Sequence, residues 1–228
     1  MKLIDRQYLD TPFYGRRPMT AELNKKGYAV NSKRVGRLMR KMGIECLWPK
    51  PRREAINRIY GKFPYLLRNT KIVSQNHVWG TDITYVPVDG GYVYLTAVLD
   101  LYSRFVLSWR LSNSLESRFC VEAIEKALEL GKPRIINSDQ GTQYTSRDYI
   151  ETVQSRGIEI SMSGRGRCWD NIFVERFWRS LKYEEVYLNQ YSCVEEAAEG
   201  IESYIGLYNT RRLHSALNYR TPSQVYWE

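Results

Sequence analysis

Three acidic residues stand in segments whose neighbours disfavour a negative charge. Asp82 lies inside the strand-like run VWGTDITYVPV, and Asp139 follows the apolar RII of another short strand. Glu175 begins a helical segment that carries several large apolar side chains. If strand ends and one helix meet, the three carboxylates repel one another, which raises at least one pKa. Hard divalent cations such as Mg2+ offset that repulsion, and two ions about 4 Å apart can drive displacement at a phosphodiester.

Each acidic residue also has an ordinary structural interpretation, which the sequence leaves open. Asp139 could be an Asx-type turn residue, and Asp82 could be a satisfied polar position on an edge strand. Glu175 could be helix surface or could compensate the dipole near a helix start. Asp100, which precedes a turn, and Asp170, which is placed to cap the helix of Glu175, are weaker candidates for chemistry.

The helix of Glu175 is predicted to have two distinct sides. At about 100° per residue, its large apolar residues fall opposite Glu175: Phe173, Phe177 and Leu181. Arg179 and Lys182 fall within roughly 40° of Glu175 on the same basis. The helix can therefore pack its apolar side on a sheet while its other side carries basic groups that face phosphates.

The elements that must position these residues alternate between strands and helices. VWGTDITYVPV, YVYLTAVLD and RFVLSWRLS read as three meandering strands, with a hairpin turn at Asp89-Gly90-Gly91. An amphipathic helix, the RII strand, a helix through about Arg156, the strand IEISM and a helix from about Ile172 to Tyr183 follow. This order predicts an α/β fold with a mixed sheet and helices on both faces.

The charge is divided unevenly along the chain. Of the net +9, residues 1–72 contribute +13, with 18 Lys/Arg and 5 Asp/Glu, and residues 73–228 contribute −4. A basic front end on a mildly acidic body indicates contact with a polyanion such as DNA. A merely soluble basic surface is the alternative.

The front end is predicted to hold two helices joined by a turn. Thr20 can cap the first helix, which Gly27 ends, and Asn31 or Ser32 can cap the second, which Gly43 ends. The second helix carries most of the basic residues proposed to contact DNA: Lys33, Arg34, Arg37, Arg40 and Lys41. We interpret residues 1–48 as a helix-turn-helix-like module, 49–72 as a proline-interrupted basic linker and 73–228 as the catalytic unit with a C-terminal helical tail.

Composition excludes several other classes of protein. No stretch approaches the roughly 18 apolar residues of a membrane span, and MKLIDRQYLD has no apolar run typical of a secretory signal. The cysteines are scattered, at positions 46, 120, 168 and 193, which disfavours a zinc site and a disulfide framework. We therefore expect a cytoplasmic protein with free thiols.

Spacing and flanking residues together resemble a known family. Asp139 and Glu175 are 36 positions apart, and WGTDITY, NSDQGTQYTS and SMSGRGRCWDNIFVERFWRSLKYEEVY resemble the Asp-Asp-35-Glu transposases of bacterial insertion sequences. More narrowly, the chain resembles their second-frame (OrfB) product. YNTRRLHSALNYRTP resembles the C-terminal signature of that family, and YGRRPMTAELNKKGYAVNSKRVGRLMRKMGI resembles the helical module that precedes its core.

The resemblance implies a ribonuclease-H-like, retroviral-integrase-type core with a mixed five-stranded sheet and two Mg2+ or Mn2+ ions per active site. It implies that Asp82, Asp139 and Glu175 are the catalytic metal ligands and that Lys182 contacts the element's terminal DNA. Arg179, on the same side of the helix as Lys182, is predicted to bind DNA as well. The implied reaction is 3′-end cleavage of the element and strand transfer by the freed 3′-hydroxyl. Implied partners are double-stranded DNA (terminal repeats and target), a first-frame (OrfA) product joined as a fusion, and further copies of the chain in the DNA complex.

Two departures from the family pattern bear on this interpretation. Asn137 stands where many relatives have histidine, outside the triad. Met1 opens directly on the second-frame module, which keeps open the alternative of a non-catalytic DNA-binding regulator of transposition. The sequence also leaves open a nuclease of the same fold that only hydrolyses, although the basic front end favours transposition. For His214, in the C-terminal signature, a structural role in the tail is favoured over a DNA contact. The resemblance places the protein in the bacterial cytoplasm, associated with the nucleoid.

Overall fold

The computed structural model describes residues 1–47, 63–164 and 171–228. The chain forms two compact units, Met1–Ala55 and Ile56–Glu228. Within the described ranges, no helix is both long enough and apolar enough to cross a lipid bilayer.

The smaller unit consists of three short helices around a small apolar core. These are α1 (Lys2–Asp10), α2 (Arg16–Lys25) and α3 (Ser32–Lys41). The core side chains come from all three helices: Ile4, Met19, Leu23, Val35 and Met39. The two predicted helices are α2 and α3, whereas α1, which buries only Ile4 and Gln7, was not predicted.

The helix ends of the smaller unit partly match the predicted caps. The Asn31 side chain accepts a hydrogen bond from the Arg34 backbone N–H at 2.8 Å, so Asn31 caps α3. Gly27, at φ +85°, follows α2 closely. The prediction for Thr20 was wrong: α2 begins four residues earlier, and the Thr20 hydroxyl donates to the Arg16 carbonyl from inside the helix. Threonine readily makes this back-bond to residue i−4, so its identity did not distinguish a cap from an interior position.

The larger unit contains a mixed five-stranded sheet in the order β3-β2-β1-β4-β5. Its strands are β1 (Val78–Val88), β2 (Gly91–Asp100), β3 (Val106–Ser112), β4 (Ile135–Ser138) and β5 (Glu159–Met162). The first three strands pair antiparallel, whereas β4 pairs parallel with both β1 and β5. The predicted mixed sheet is confirmed, and Gly90, at φ +82°, closes the β1–β2 hairpin as the Asp-Gly sequence indicated.

Helices cover both faces of the sheet, as expected. They are α4 (Arg118–Leu128), α5 (Arg147–Gln154), α6 (Ile172–Leu181), α7 (Val194–Thr210) and α8 (Pro222–Tyr226). One apolar core forms between the sheet and α4 with α5, and the other forms between the sheet and α6 with α7. Alternation along β1 divides its side chains between them, with Val78 in the α6 core and Trp79 in the α4 core.

Two strand boundaries differ from the predicted ones. The third strand begins at Val106, two residues later than expected, because a turn precedes it. The Asp100 carboxylate accepts hydrogen bonds from the Ser103 N–H at 2.8 Å and hydroxyl at 2.7 Å, and Arg104 adopts φ +67°. β4 runs through Ser138, so Asp139 follows the strand directly.

The predicted linker at 49–72 lies mostly outside the described residues. Its described end, 63–72, includes a short 3₁₀ helix at Leu67–Asn69. The Leu66 backbone N–H donates to the Ser161 hydroxyl at 3.0 Å, and Leu66 packs against the α6 core. This segment therefore belongs to the larger unit.

Candidate active site

Strand β1 places Asp82 on the face of the sheet that α6 covers. The side chain is partly buried, and its Oδ2 accepts a hydrogen bond from the Trp178 indole N–H at 3.0 Å. Burial, together with the smaller effect of the charges of Asp139 and Glu175, raises the pKa of Asp82 to about 6, against hydrogen bonds from the Ile83 backbone and the Trp178 indole that lower it. Asp82 is thus a carboxyl group whose charge is disfavoured by its surroundings, as its position in the strand suggested.

Asp139 lies one residue beyond the end of β4. Its side chain is exposed, and its Oδ1 accepts a hydrogen bond from the Gly141 backbone N–H at 2.9 Å. A Cβ at position 141 would stand 2.9 Å from the same oxygen, so a side chain there would displace the Asp139 carboxylate. Asp139 is therefore an Asx-type turn residue, and this turn holds its carboxylate at the end of β4, beside β1.

Glu175 lies in the first turn of α6 and is exposed. The side of α6 that packs on the sheet carries Val174, Phe177, Trp178 and Leu181. Two of the three apolar residues predicted for that side are buried; Phe173 is only partly buried and packs against the Arg104 guanidinium, 3.7 Å from its ring centroid. α6 packs closely on β1 because Gly80 of β1 lies beneath it. A Cβ at position 80 would stand 2.8 Å from the Val174 side chain.

The three predicted acidic residues share one neighbourhood, because the charges of two of them act on the third. Across 1–47, 63–164 and 171–228, however, no group of three or more His, Cys, Asp or Glu side chains is arranged to hold a metal ion. One oxygen of Asp82 and one of Asp139 are instead hydrogen-bonded within the protein. Carboxylate oxygens are nevertheless the type of donor that Mg2+ and Mn2+ prefer.

Of the two weaker acidic candidates, Asp100 has a structural role. Asp100 is fully buried and accepts hydrogen bonds from the Asn76 N–H at 2.7 Å and from Ser103, which fixes the turn before β3. Asp170 lies outside the described residues.

The basic residues predicted to contact DNA divide between the two units. On α3 they form one exposed surface, opposite the buried Val35 and Met39: Lys33, Arg34, Arg37, Arg40 and Lys41. In the larger unit, Arg179 is exposed on α6, and Lys182 begins a π-helical turn (Lys182–Val186) that continues the helix. Neither Arg179 nor Lys182 forms an ion pair with another described residue.

Sequence reasoning missed the groups that hold Asp82. Besides the Trp178 indole, the Thr96 hydroxyl donates to the Asp82 carbonyl at 3.2 Å. The buried Tyr144 hydroxyl lies 3.4 Å from that of Thr96 and 3.3 Å from that of Thr81. Trp178 is three residues after Glu175, so helical spacing was the available signal, but its partner is 96 positions away in the sequence.

The C-terminal signature forms a network that ties α7 to the core. Asn209 accepts a hydrogen bond from the Val106 N–H at 2.9 Å and donates to its carbonyl at 3.0 Å. Arg212 makes two hydrogen bonds with Glu184, at 2.8 and 2.6 Å. His214 packs edge-on against Tyr208 at 4.8 Å. Burial lowers the pKa of His214 to about 4, as do the charges of Arg212 and Arg104, while Glu184 opposes them.

Comparison with known protein families defines the class of protein first. Residues 73–168 and 156–222 match the integrase core domain, and residues 1–52 match an HTH-like domain. Among solved structures, the chain resembles the HTLV-2 integrase catalytic core domain in complex with magnesium (TM-score 0.55, 23% identity, 68% of this chain and 99% of that one). It also resembles a chain of the simian T-cell lymphotropic virus intasome (TM-score 0.61, 16% identity, 99% and 74%). The larger unit therefore has the ribonuclease-H-like fold of integrase cores.

Curated relatives then define the family. The chain is 33% identical over 216 residues to the transposase of insertion sequence element IS904 from Lactococcus lactis, covering 92% of this chain and 85% of that protein. It is 33% identical over 214 residues to the putative transposase InsK of IS150 from Escherichia coli K12, covering 92% and 76%. The chain belongs to the insertion-sequence transposases with an integrase core domain.

Proposed function

We propose that this chain catalyses metal-dependent 3′-end cleavage of insertion-sequence ends and transfers the resulting 3′-hydroxyl end to target DNA. The observation that carries the proposal is the shared neighbourhood of Asp82, Asp139 and Glu175 in a chain of the transposase family. Three elements that are distant in sequence, β1, the end of β4 and the start of α6, converge there. Carboxylates that repel one another without a cation between them are a costly arrangement.

In this proposal Asp82, Asp139 and Glu175 hold two divalent cations, Mg2+ or Mn2+. When bound, such ions activate an attacking oxygen and stabilise the leaving oxygen of a phosphodiester. The resemblance to a core solved with magnesium supports this choice of ion. The chain itself supplies orientation: Trp178 fixes one oxygen of Asp82, and the Gly141 N–H fixes one of Asp139.

The same proposal assigns the basic residues to DNA. Lys182 and Arg179 contact the backbone of the element end next to the carboxylates, and the exposed basic surface of α3 grips duplex DNA. The proposed division is a DNA-binding module at 1–48, a linker at 49–72 and the catalytic unit at 73–228. Bridging two ends requires several copies of the chain, with or without a first-frame (OrfA) fusion, acting at the nucleoid in the cytoplasm.

An assay with DNA carrying the terminal sequences of the parent element tests this function. With Mg2+ or Mn2+, the purified chain should produce 3′-end nicks and then joined products. Nicks without joining would favour a hydrolysis-only nuclease, and binding without nicks would favour a regulator. Either result would overturn the proposal.

Asp139→Asn is the variant that tests the proposal most directly in this assay. It should abolish nicking and joining while DNA binding stays equal or improves, because the variant no longer carries a charge that repels phosphate. Asp148→Asn, an exposed aspartate in the first turn of α5, is the matched control and should leave both steps unchanged. Parallel loss of binding and cleavage in Asp139→Asn would indicate a folding role for Asp139.

A further inference from the structure

Two exposed tyrosines continue the helical path that begins at Glu175. Arg179, Tyr183 and Tyr187 follow Glu175 in steps of four residues, which places them along one side of α6 and its π-helical extension. Tyr183 is 66% exposed and Tyr187 is 57% exposed. Their ring centroids are 5.4 Å apart, edge to face, and the Arg179 guanidinium lies 5.9 Å from the Tyr183 ring.

The fold does not use these two rings for packing. The buried side of this segment carries Leu181 and Val186, which join the α6 core, whereas both tyrosines point to solvent. Exposed aromatic rings that lie side by side commonly mark a binding surface. A π-helical turn at the same place is a further feature that is frequent at functional sites.

The surrounding charges favour a polyanionic ligand over a protein. The two acidic residues between the rings in sequence are engaged with other partners, since Glu184 binds Arg212 and Glu185 accepts a hydrogen bond from the Tyr191 hydroxyl at 2.9 Å. Arg179 and Lys182 flank the rings and form no ion pair with other described residues. Aromatic rings interleaved with cations are the combination that binds unpaired nucleic-acid bases, through stacking and phosphate contacts.

We propose that Tyr183 and Tyr187 form a stacking platform for unpaired bases at the DNA end that enters the carboxylate site. The proposal deepens the proposed function and rests on it. Along a helix with a rise of about 1.5 Å per residue, Tyr183 lies about 12 Å beyond Glu175, and Tyr187 lies one turn further. At ~3.4 Å per nucleotide, these rings meet bases roughly three to five nucleotides from the reacting phosphate. The platform therefore binds ends that have opened and disfavours fully paired ones.

Two duplexes of identical length test the platform, one fully paired and one mismatched over four base pairs at one end. A 2-aminopurine in the mismatched segment reports stacking through its fluorescence. The full chain should bind the mismatched end more tightly and quench the probe. Tyr183→Ala should weaken that binding about tenfold and restore fluorescence, while binding to the paired duplex stays unchanged. Tyr183→Phe keeps the ring and should behave as the unsubstituted chain.

Tyr92→Ala is the matched control, because Tyr92 is 65% exposed on β2 of the same unit and should leave end binding unchanged. If Tyr183→Ala and Tyr187→Ala bind the mismatched end normally, the platform is wrong, whatever the cleavage assay shows. If those variants instead change the sedimentation mass of the free protein, the surface is an interface between copies and the platform is also wrong. If the unsubstituted chain does not cleave DNA but Tyr183→Ala still weakens binding to the mismatched end tenfold, the platform is supported and only the catalytic function is rejected.

Discussion

The negative charge of Asp82 is energetically unfavourable in the folded protein. Its pKa is raised to about 6 by burial first and by two neighbouring carboxylates second. A carboxyl group whose pKa rises on folding contributes stability that is complete below its unfolded pKa, near 4, and is lost as the pH rises through 6. At neutral pH without divalent ions, Asp82 therefore lowers the free energy of unfolding.

Replacement of Asp82 by Asn should raise the stability of the metal-free protein. Because the amide is neutral and can still accept from the Trp178 indole, the free energy of unfolding at pH 7 should increase by up to about 3 kcal/mol. Urea unfolding in EDTA measures the gain, which should shrink at pH 4. Mn2+ should stabilise the unsubstituted chain but not Asp82→Asn. A less stable Asp82→Asn would mean that hydrogen bonds outweigh burial at this carboxylate.

His214, in the same unit, gives the opposite pH dependence. Its pKa falls from an ordinary 6.5 to about 4 in the folded protein. The unfolded chain then binds more protons between these values, so stability is complete above pH 6.5 and decreases as the pH falls toward 4. In His214→Asn, the decrease in melting temperature between pH 7 and pH 5 should be smaller. An unchanged decrease would show that His214 is accessible to protons in the folded state.

Residue types were easier to predict than residue contacts. Asp82, Asp139 and Glu175 could be selected because each charge stands in a segment that disfavours it. The Trp178–Asp82 hydrogen bond and the pairing of Asn209 with Val106 join positions about a hundred residues apart. No local periodicity encodes such pairs, so the groups that orient the carboxylate and anchor the tail required the structure.

At the scale of elements, periodic patterns with clear ends predicted the fold well. The three long strands and the amphipathic α4 and α6 were predicted with boundaries close to those observed, because turn residues bound the strands and each helix has one apolar side. α1 was missed because its polar sequence buries only Ile4 and Gln7. The π-helical turn was also missed, since its hydrogen bonding leaves no mark on residue spacing.

The contact between α6 and β1 fixes where Glu175 stands, and Gly80 makes that contact possible. In Gly80→Ala the new methyl group would stand 2.8 Å from both Val174 and Leu101, which are buried. Overpacking of this kind costs about 1–3 kcal/mol, and displacement of α6 should reduce cleavage more than DNA binding. Gly206→Ala in α7, where no atom lies within 4 Å of the new methyl group, should be neutral or stabilising. Equal stability of the two variants would show that the α6 contact tolerates a methyl group.

At the scale of the whole molecule, the two units carry different charges and are proposed to have different tasks. The basic excess lies in residues 1–72, whereas Asp82, Asp139 and Glu175 lie in residues 73–228, whose net charge is −4. The net negative charge of residues 73–228 disfavours DNA until cations bind, so residues 1–72 are expected to supply most of the attraction. This separation of charge predicts that added salt weakens DNA binding mainly by screening the basic residues of α3.

The affinity of the full chain for duplex DNA should fall steeply with added salt. Neutralising Lys33, Arg37 and Arg40 with glutamine should reduce the slope of log affinity against log salt by about 2.7, or ~0.9 for each phosphate that the protein no longer neutralises. The matched control replaces Arg118, Lys126 and Arg147, which are exposed on α4 and α5 but already paired with glutamates. These paired side chains release few counterions when DNA binds, so their replacement should change the slope much less. Equal changes in the two triple variants would mean that net charge, rather than the surface of α3, attracts the DNA.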